Sequence, residues 1–276
     1  MKVLSLGAGV QSSTVLLMSC RGVLPQLDAA VFADTGWESK VVYEHLDWLT
    51  EEASRYGIPV YRVSAGSLRV DAIASAVRDG KRYASMPLYT RTEDGKIGRI
   101  RRQCTREYKR DPIDRFIRRE LLGCAPGRTA PPGSCDIWLG ISADEMRRVR
   151  FSEVRWKRHI YPLLGLPTDA RYLSDLYSRK DCLAWVRETY GRDIPRSSCI
   201  GCPNHSRAEW EAIRARPEEW SDVCEVDEAI RHTGGMRGEV FLHRSATPLR
   251  TIDFAYSETL EIAFSEYREC DSNCFT

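Results

Sequence analysis

The chain has 276 residues, enough to bury one large core, and a formal net charge of +2. It contains no apolar run long enough to span a bilayer, and Ser5, Gly7 and Gly9 interrupt the apolar N-terminus, which favours a first strand over a signal peptide. We therefore expect a soluble, cytoplasmic protein with no membrane partner. In such a protein ten cysteines indicate metal binding or thiol chemistry rather than a disulfide framework.

Apolar segments alternate with amphipathic ones along the first half of the chain. Strands are predicted at residues 2–7, 28–36, 59–66 and 135–145, and helices at 12–20, 39–57 and 68–80. This alternation is typical of an α/β fold, a parallel twisted sheet with helices on both faces, which binds ligands at the carboxyl ends of its strands. The proline- and glycine-rich segments 85–99 and 123–135 are predicted to be long loops.

A second region is predicted to begin near Pro167. It contains several predicted helices, a cysteine pair and a tail with further cysteines. The sequence therefore predicts two parts, an α/β domain at residues 1–166 and a mainly helical C-terminal region at residues 167–276.

The first strand runs into the polar segment GAGVQSS before the first helix. Gly7 and Gly9 let the backbone approach a ligand, and a helix start offers free N–H groups and a positive dipole end. Ser12, Ser13 and Thr14 add hydroxyl donors. The segment predicts a phosphate-binding loop, although it has neither the Walker A lysine nor the third glycine of a dinucleotide fingerprint. The alternative is a simple strand-to-helix turn in which Ser12 caps the helix.

The segment SLGAGVQSS resembles the PP-loop of the adenine nucleotide alpha-hydrolase-like superfamily, whose usual form is Ser-Gly-Gly-x-Asp-Ser. It is most similar to the variant in phosphoadenosine phosphosulfate (PAPS) reductases, and FADTGWES is similar to the Asp-Thr-Gly segment of those reductases. WLGISADEMRR and HIYPLLGL resemble two later landmarks, so the likeness covers most of residues 2–166, and SCIGCP extends it.

The resemblance implies an adenine nucleotide, ATP or an adenylyl sulfate, in the cleft of a nucleotide-binding domain. The implied binding residues are Ser5, Gly7, Ala8, Gly9, Gln11, Ser12, Ser13, Asp34, Thr35 and Gly36, and Asp34 is also an implied catalytic residue. Gln11 stands where ATP-cleaving members usually carry aspartate, and an amide does not bind Mg²⁺ as a carboxylate does. This departure leaves the use of Mg²⁺ open and leans toward the reductase branch.

Three cysteines form a candidate metal site. Cys199 and Cys202 have the C-x-x-C spacing, and Cys104 lies among arginines, whose charge lowers a thiol pKa. Zinc held by these cysteines and His205 is one interpretation, and free thiols are another. A [4Fe-4S] cluster fits better by resemblance, because several sulfur-handling members of the superfamily hold one through widely separated cysteines. The remaining cysteines before the tail are predicted to be packing residues, namely Cys20, Cys124, Cys135, Cys182 and Cys224.

The tail YRECDSNCFT carries Cys270 and Cys274. Its Glu-Cys pair is similar to the Glu-Cys-Gly tail of PAPS reductases, whose cysteine attacks the sulfonate, although Asp271 replaces the glycine. The resemblance implies Cys270 as a catalytic nucleophile, and Cys274 is a candidate fourth cluster ligand.

Arginines cluster in residues 98–119 and again in residues 145–159, where Phe151 and Trp156 are interleaved. Solvated helix faces explain many such tracts. Beside a nucleotide cleft, this density also suits a polyanion such as an adenylyl sulfate or a nucleic-acid backbone.

Three functions are compatible with these features. The first is ATP-dependent sulfur transfer onto a nucleic acid, tRNA or DNA, with a sulfur donor such as a cysteine desulfurase. The second is reduction of an adenylyl sulfate by Cys270, and the third is nucleotide binding without catalysis around a zinc site. Cys104 lacks the adjacent second cysteine of cluster-bearing adenylyl-sulfate reductases, and the arginine tracts exceed the needs of a small substrate. The sequence therefore favours sulfur transfer and leaves the oligomeric state open.

Overall fold

The computed structural model describes residues 1–77, 85–165, 176–233 and 236–254. The strands are β1 (Lys2–Leu6), β2 (Ala29–Asp34), β3 (Val60–Ser64), β4 (Tyr89–Arg91), β5 (Ile97–Arg99), β6 (Cys135–Leu139), β7 (Lys157–Ile160) and β8 (Glu239–Phe241). The α-helices are α1 (Val10–Cys20), α2 (Lys40–Ser54), α3 (Leu68–Val77), α4 (Asp111–Phe116), α5 (Arg179–Tyr190), α6 (Arg207–Arg214) and α7 (Pro217–Ala229). Short 3₁₀ helices occupy Ala143–Arg148, Pro162–Leu164 and Leu249–Thr251.

The predicted parallel sheet is confirmed. Five parallel strands lie in the order β3-β2-β1-β6-β7, and Val3 of β1 pairs with Ala29 of β2 on one side and Ile137 of β6 on the other. The chain passes from β1 to β2 on one side and only later returns to place β6 on the other side. The carboxyl ends of β1 and β6 therefore form the switch point at which sheets of this kind bind ligands.

Helices cover both faces of this sheet, as predicted. Leu4 and Phe32 belong to a core that includes side chains of α1, α2 and α5. Val3 and Val31 belong to a second core on the opposite face, together with Ile113 of α4. Successive strand residues point to opposite faces, so a strand that is apolar throughout supplies both cores.

The prediction that residues 85–99 form a loop is wrong, because β4 and β5 make an antiparallel hairpin there. Gly95 has the left-handed backbone (φ 79°) that the tight turn requires, and Thr92 bonds to Lys96 across it. The hairpin extends to a three-stranded sheet by pairing with β8 from the C-terminal region. The predicted loop at 123–135 is confirmed up to residue 134, where β6 follows.

The C-terminal region contains the helices that the sequence predicts, α5, α6 and α7, together with β8. Its elements do not stand apart: α5 packs on α1, and α7 packs on α3. The predicted boundary at residues 166 and 167 lies outside the described residues. In the described part of the chain, no helix has the length and apolar character needed to cross a membrane.

Candidate functional site

A cavity opens at the carboxyl ends of β1 and β6, at the switch point of the sheet. Its lining combines the predicted phosphate loop, the predicted cysteines and several cationic side chains, including Ser5, Gly7, Gly9, Gln11, Ser12, Thr35, Cys104, Cys199, Cys202, Arg102, Lys109, Arg148, Arg179 and Arg196. Among the described residues, Ala8, Ser13, Asp34 and Gly36 were predicted for the site and are not part of this lining. The fold thus brings together three segments that are far apart in sequence.

The loop after β1 is tightly braced. Ala8, and neither of its neighbouring glycines, takes the left-handed backbone with φ of 53°, whereas Gly9 is extended. The Gly7 N–H donates to Ser12 Oγ over 3.1 Å, and the Ser12 hydroxyl donates to the Gly9 carbonyl over 3.3 Å. No described side chain caps α1, so the N–H groups of its first turn remain available beside the cavity.

Two of the predicted hydroxyl donors bond within the protein instead of facing the cavity. The Ser13 hydroxyl lies 3.0 Å from His45 Nε2, and the Thr14 hydroxyl donates to the Val10 carbonyl over 2.8 Å. Burial, together with the charge of Arg192, lowers the pKa of His45 to about 4, so this imidazole is neutral at pH 7. The donors left for a phosphate are therefore mainly backbone N–H groups.

The loop after β6 lies directly against the start of α1. A β-carbon placed on Gly140 would lie 2.5 Å from Ser12 N and 2.7 Å from Ser12 Cα. Since these are backbone atoms inside a helix, they have no room to move. Only glycine fits at position 140.

Gln11 is the centre of a polar network that faces the cavity. Its Nε2 donates to Ser142 Oγ over 3.2 Å and to Glu145 Oε2 over 3.1 Å, and its Oε1 accepts a bond from Arg179 over 3.4 Å. Arg148 donates to the other oxygen of Glu145 over 2.5 Å. A carboxylate is thus present next to position 11, although position 11 itself carries an amide.

Sequence reasoning did not assign Glu145, Arg148 or Arg179 to the site. The available signal was the polar run SADEMRR, which directly follows a buried strand at the sheet edge where ligands bind.

The cavity favours an anion. Among the described residues, five cationic side chains line it, against three acidic ones, Asp144, Glu145 and Glu209. Arg148 is buried, and its Nε has no hydrogen-bond partner among the described residues. A buried guanidinium N–H without an acceptor is costly, and a bound phosphate or carboxylate would supply one.

In the segment after β2, Asp34 stabilises the turn and Thr35 faces the cavity. Asp34 accepts hydrogen bonds from the Gly36 N–H over 2.7 Å and from the Tyr43 hydroxyl over 2.8 Å, so its carboxylate closes the turn. Burial and the bond to Asp34 raise the pKa of Tyr43. Thr35 instead lines the cavity, where its Oγ1 lies 3.1 Å from Cys199 Sγ.

The C-x-x-C loop docks onto this same segment. The Ile200 N–H donates to the Trp37 carbonyl over 2.9 Å, and Glu38 forms an isolated antiparallel bridge with Cys199. The Cys202 N–H donates to the Cys199 carbonyl over 3.0 Å, which closes the turn between the two cysteines.

His205 contacts the backbone of the C-x-x-C loop. Its Nε2 lies 2.9 Å from the Cys199 carbonyl and 3.1 Å from the Ile200 carbonyl, and its Nδ1 lies 3.3 Å from Glu209 Oε1. Both ring nitrogens face oxygen acceptors, so this arrangement leaves neither for a zinc ion. Burial tends to raise the pKa of Glu209, but bonds from His205 and Ser206 and the charge of Arg196 outweigh it and lower the pKa to about 2.

The three predicted cysteine ligands share the cavity but differ in environment. Cys199 is buried, with Sγ 3.5 Å from Glu38 Oε1, and Cys104 and Cys202 are half-buried. Burial and the charge of Glu38 raise the pKa of Cys199 well above its usual range. The charge of Lys109, which lies 3.7 Å from Glu38, opposes this shift without reversing it. Within the described ranges, no three His, Cys, Asp or Glu side chains are already grouped to hold a metal ion. Cys270 and Cys274 lie outside the described residues.

Four of the other cysteines are buried in the cores, as expected for packing residues. Burial raises the pKa of Cys20 and Cys224 to about 11 and that of Cys135 and Cys182 to about 12, which keeps them as thiols at pH 7. Cys124 is half-buried.

Comparison with known proteins gives no match to a family model and no match to a curated protein.

Proposed function

We propose that the chain is a PP-loop adenine-nucleotide enzyme, similar to the PAPS reductase branch, that uses ATP to transfer sulfur onto a nucleic acid such as tRNA or DNA. The observation that carries the proposal is the shared cavity: the braced loop at Gly7–Ser12 and the thiols of Cys104, Cys199 and Cys202 line the same space. A nucleotide phosphate and a sulfur centre can therefore meet there.

The nucleotide part rests on the cationic and N–H-rich end of the cavity. The first turn of α1 offers backbone N–H groups, and Ser12 holds the loop in the shape that exposes them. Arg148 and Arg179 stand beside this turn and supply the charge that a triphosphate requires.

The first chemical step is adenylation of the acceptor. An oxygen of the acceptor base attacks the α-phosphorus of ATP, the bond to the β-phosphate oxygen breaks, and pyrophosphate leaves. The terminal sulfur of a persulfide, carried by a donor such as a cysteine desulfurase, then attacks the acceptor carbon and displaces AMP. A thiol reductant cleaves the resulting disulfide to the donor and leaves the thiolated base. Glu145, with Oε2 3.1 Å from Gln11 Nε2, supplies the carboxylate that position 11 lacks, so Mg²⁺ accompanying ATP would find an oxygen ligand.

A [4Fe-4S] cluster fits the donor set in kind, because three cysteines line one cavity together with Lys109 and Arg102. Cys104, Cys199 and Cys202 would hold it, with Cys270 or Cys274 as the fourth ligand or with one iron open. When bound, such a cluster would supply an iron site able to hold or activate sulfur. Thr35 and Glu38, which contact Cys199, would position that ligand.

The nucleotide assignment is tested by titrating the full chain with ATP and with an adenylyl sulfate. We expect Arg148→Gln to weaken binding of the preferred nucleotide at least tenfold, since a charged hydrogen bond at a buried site contributes about 1.5–3 kcal/mol. Arg187→Gln is the matched control, because Arg187 is exposed and pairs only with Asp193 in the described part of the chain. Unchanged binding in both variants would place the nucleotide outside this cavity.

The reaction is tested by pyrophosphate release from ATP with candidate tRNA and DNA acceptors, in protein purified without oxygen. Sulfur transfer predicts that Cys270→Ser still releases pyrophosphate, because adenylation needs no thiol. Production of sulfite from an adenylyl sulfate that disappears in Cys270→Ser would instead establish the reductase, in which that thiol is the nucleophile.

A further inference from the structure

Phe151 is the most exposed of the large apolar side chains in the described part of the chain. Its residue surface is 87% exposed, whereas the next value, for Val70, is 57%. It lies between the 3₁₀ helix Ala143–Arg148 and β7. Single exposed apolar residues are common, but a phenylalanine this exposed contributes nothing to the packing of a core.

The backbone that carries this ring is anchored on its N-terminal side. The Arg150 N–H donates to the Tyr161 hydroxyl over 2.8 Å, and the Arg150 carbonyl lies 2.9 Å from His159 Nδ1. On the other side, Ser152 bonds to both the N–H and the carbonyl of Val154. These bonds fix the backbone on both sides of Phe151, so the exposed ring projects from a defined place in the chain.

The exposed side chains that flank Phe151 in the sequence are mostly basic and apolar. Arg147, Arg150 and Arg155 are exposed, and one acidic residue, Glu153, lies among them. Met146 and Val154 are exposed apolar neighbours in the same stretch. We call these residues the Phe151 surface: Met146, Arg147, Arg150, Phe151, Val154 and Arg155.

The Phe151 surface begins on the short helix Ala143–Arg148, which also contributes residues to the cavity. Within one short helix, Glu145 and Arg148 line the cavity, while Met146 and Arg147 between them are exposed. A ligand that contacts Met146 or Arg147 therefore touches the same helix that contributes Glu145 and Arg148 to the cavity.

We propose that the Phe151 surface binds single-stranded nucleic acid, with a base stacked on the Phe151 ring and backbone phosphates paired with Arg147, Arg150 and Arg155. An exposed aromatic ring flanked by arginines provides the two interactions by which unpaired nucleic acid is held without sequence readout. The proposal rests on the proposed function, because it assigns a docking place to the acceptor next to the cavity. Another protein or a second copy of this chain is a less suitable ligand, because the apolar part of the surface is small and the rest of the surface is strongly basic.

The test is fluorescence anisotropy of the full chain with a labelled single-stranded DNA and an RNA of the same sequence. We expect Phe151→Ala to weaken binding at least tenfold with little change in the salt dependence, and Phe151→Tyr to retain binding, because stacking needs only an aromatic face. Arg155→Gln should weaken binding and make the salt dependence shallower. Val70→Ala and Arg187→Gln are the matched controls, both exposed and outside this surface. The better-bound oligonucleotide distinguishes RNA from DNA as the source of the acceptor.

Three outcomes would overturn the proposal. Equal affinities of wild type and Phe151→Ala would place nucleic acid elsewhere and leave the nucleic-acid acceptor of the proposed function intact. No binding of either oligonucleotide at low salt, with ATP binding unaffected, would remove both this surface and the nucleic-acid acceptor. A dimer in solution that Phe151→Ala converts to a monomer, again without oligonucleotide binding, would make the surface an interface between copies of the chain.

Discussion

The indole of Trp37 lies directly against Gly201, the glycine inside the C-x-x-C segment. A β-carbon at position 201 would lie 2.0 Å from Trp37 Cη2. Trp37 is itself fixed, because its Nε1 donates to Asp222 over 2.6 Å and its carbonyl accepts from Ile200. The segment after β2 and the cysteine loop therefore pack as one unit, and the Trp37 indole limits how closely the loop can approach that segment.

Gly201→Ala is expected to displace the cysteine loop, because neither the ring nor the loop backbone can yield by the distance required. We expect the free energy of unfolding to fall by about 3 kcal/mol, as in an overpacked core. The same change should lower the iron and sulfide content after anaerobic reconstitution, since Cys199 and Cys202 flank the glycine. Chemical denaturation and metal analysis measure the two effects.

The double variant Trp37→Leu with Gly201→Ala provides the control for that prediction. Replacing the Trp37 indole by leucine removes the collision with the new methyl group, although it also removes the hydrogen bond to Asp222. We therefore expect the double variant to lose less free energy of unfolding than the sum of the two single losses. Strictly additive losses would show that the contact between position 37 and position 201 does not limit the loop.

Gly140→Ala and Gly9→Ala form a matched pair that separates two roles of glycine. At position 140 the new methyl group meets the backbone of α1, 2.5 Å from Ser12 N, whereas at position 9 it meets only Ser197 Cβ at 3.4 Å. We expect Gly140→Ala to lose about 3 kcal/mol of stability and all nucleotide binding. Gly9→Ala should fold with a nearly unchanged unfolding midpoint. Equal stability of both variants would contradict the close approach of the β6 loop to α1.

Much of the fold could be predicted because buried parallel strands appear as apolar runs, as in β2 with its sequence AAVFAD. The hairpin of β4 and β5 was missed because its strands have three residues each and carry polar side chains. Strand β7 was missed because its sequence is KRHI. Its charges are satisfied by partners elsewhere: Lys157 bonds to Asp114 over 2.6 Å, and Arg158 bonds to Asp136 over 2.9 Å.

The site could be predicted where a local motif carries it, as for the loop at Gly7–Ser12 and the C-x-x-C pair. The partners of Gln11 could not, because Glu145 and Arg179 are 134 and 168 positions away in sequence. The strand order, which places β6 beside β1, brings Glu145 to Gln11, and the packing of α5 on α1 brings Arg179 there. The sequence also could not show that the Ser13 hydroxyl bonds to His45 on α2 instead of facing the cavity.

Gln11→Glu tests whether the amide is needed beside Glu145. The change replaces a donor, 3.1 Å from Glu145 Oε2, by a second carboxylate, so without divalent cations we expect a loss of about 1–2 kcal/mol. Two carboxylates at this distance offer Mg²⁺ a better site than one. Mg²⁺ should therefore raise the unfolding midpoint of Gln11→Glu more than that of wild type. Gln26→Glu, at an exposed glutamine, is the control and should show no such response.

His45 makes the stability of the fold depend on pH. Burial lowers its pKa from the ordinary 6.5 to about 4 in the folded chain, and His243 is shifted to about 4 for the same reason. Between these values the unfolded chain binds a proton that the folded chain does not, so the free energy of unfolding falls as the pH is lowered from 6.5 to 4. Each histidine contributes a loss of up to about 3 kcal/mol, and above pH 6.5 neither contributes a slope. His45→Gln should make the dependence shallower in urea titrations across this range. A slope that is the same in His45→Gln and in wild type would show that His45 takes up its proton equally well in the folded chain, contrary to its burial beside Ser13 and Arg192.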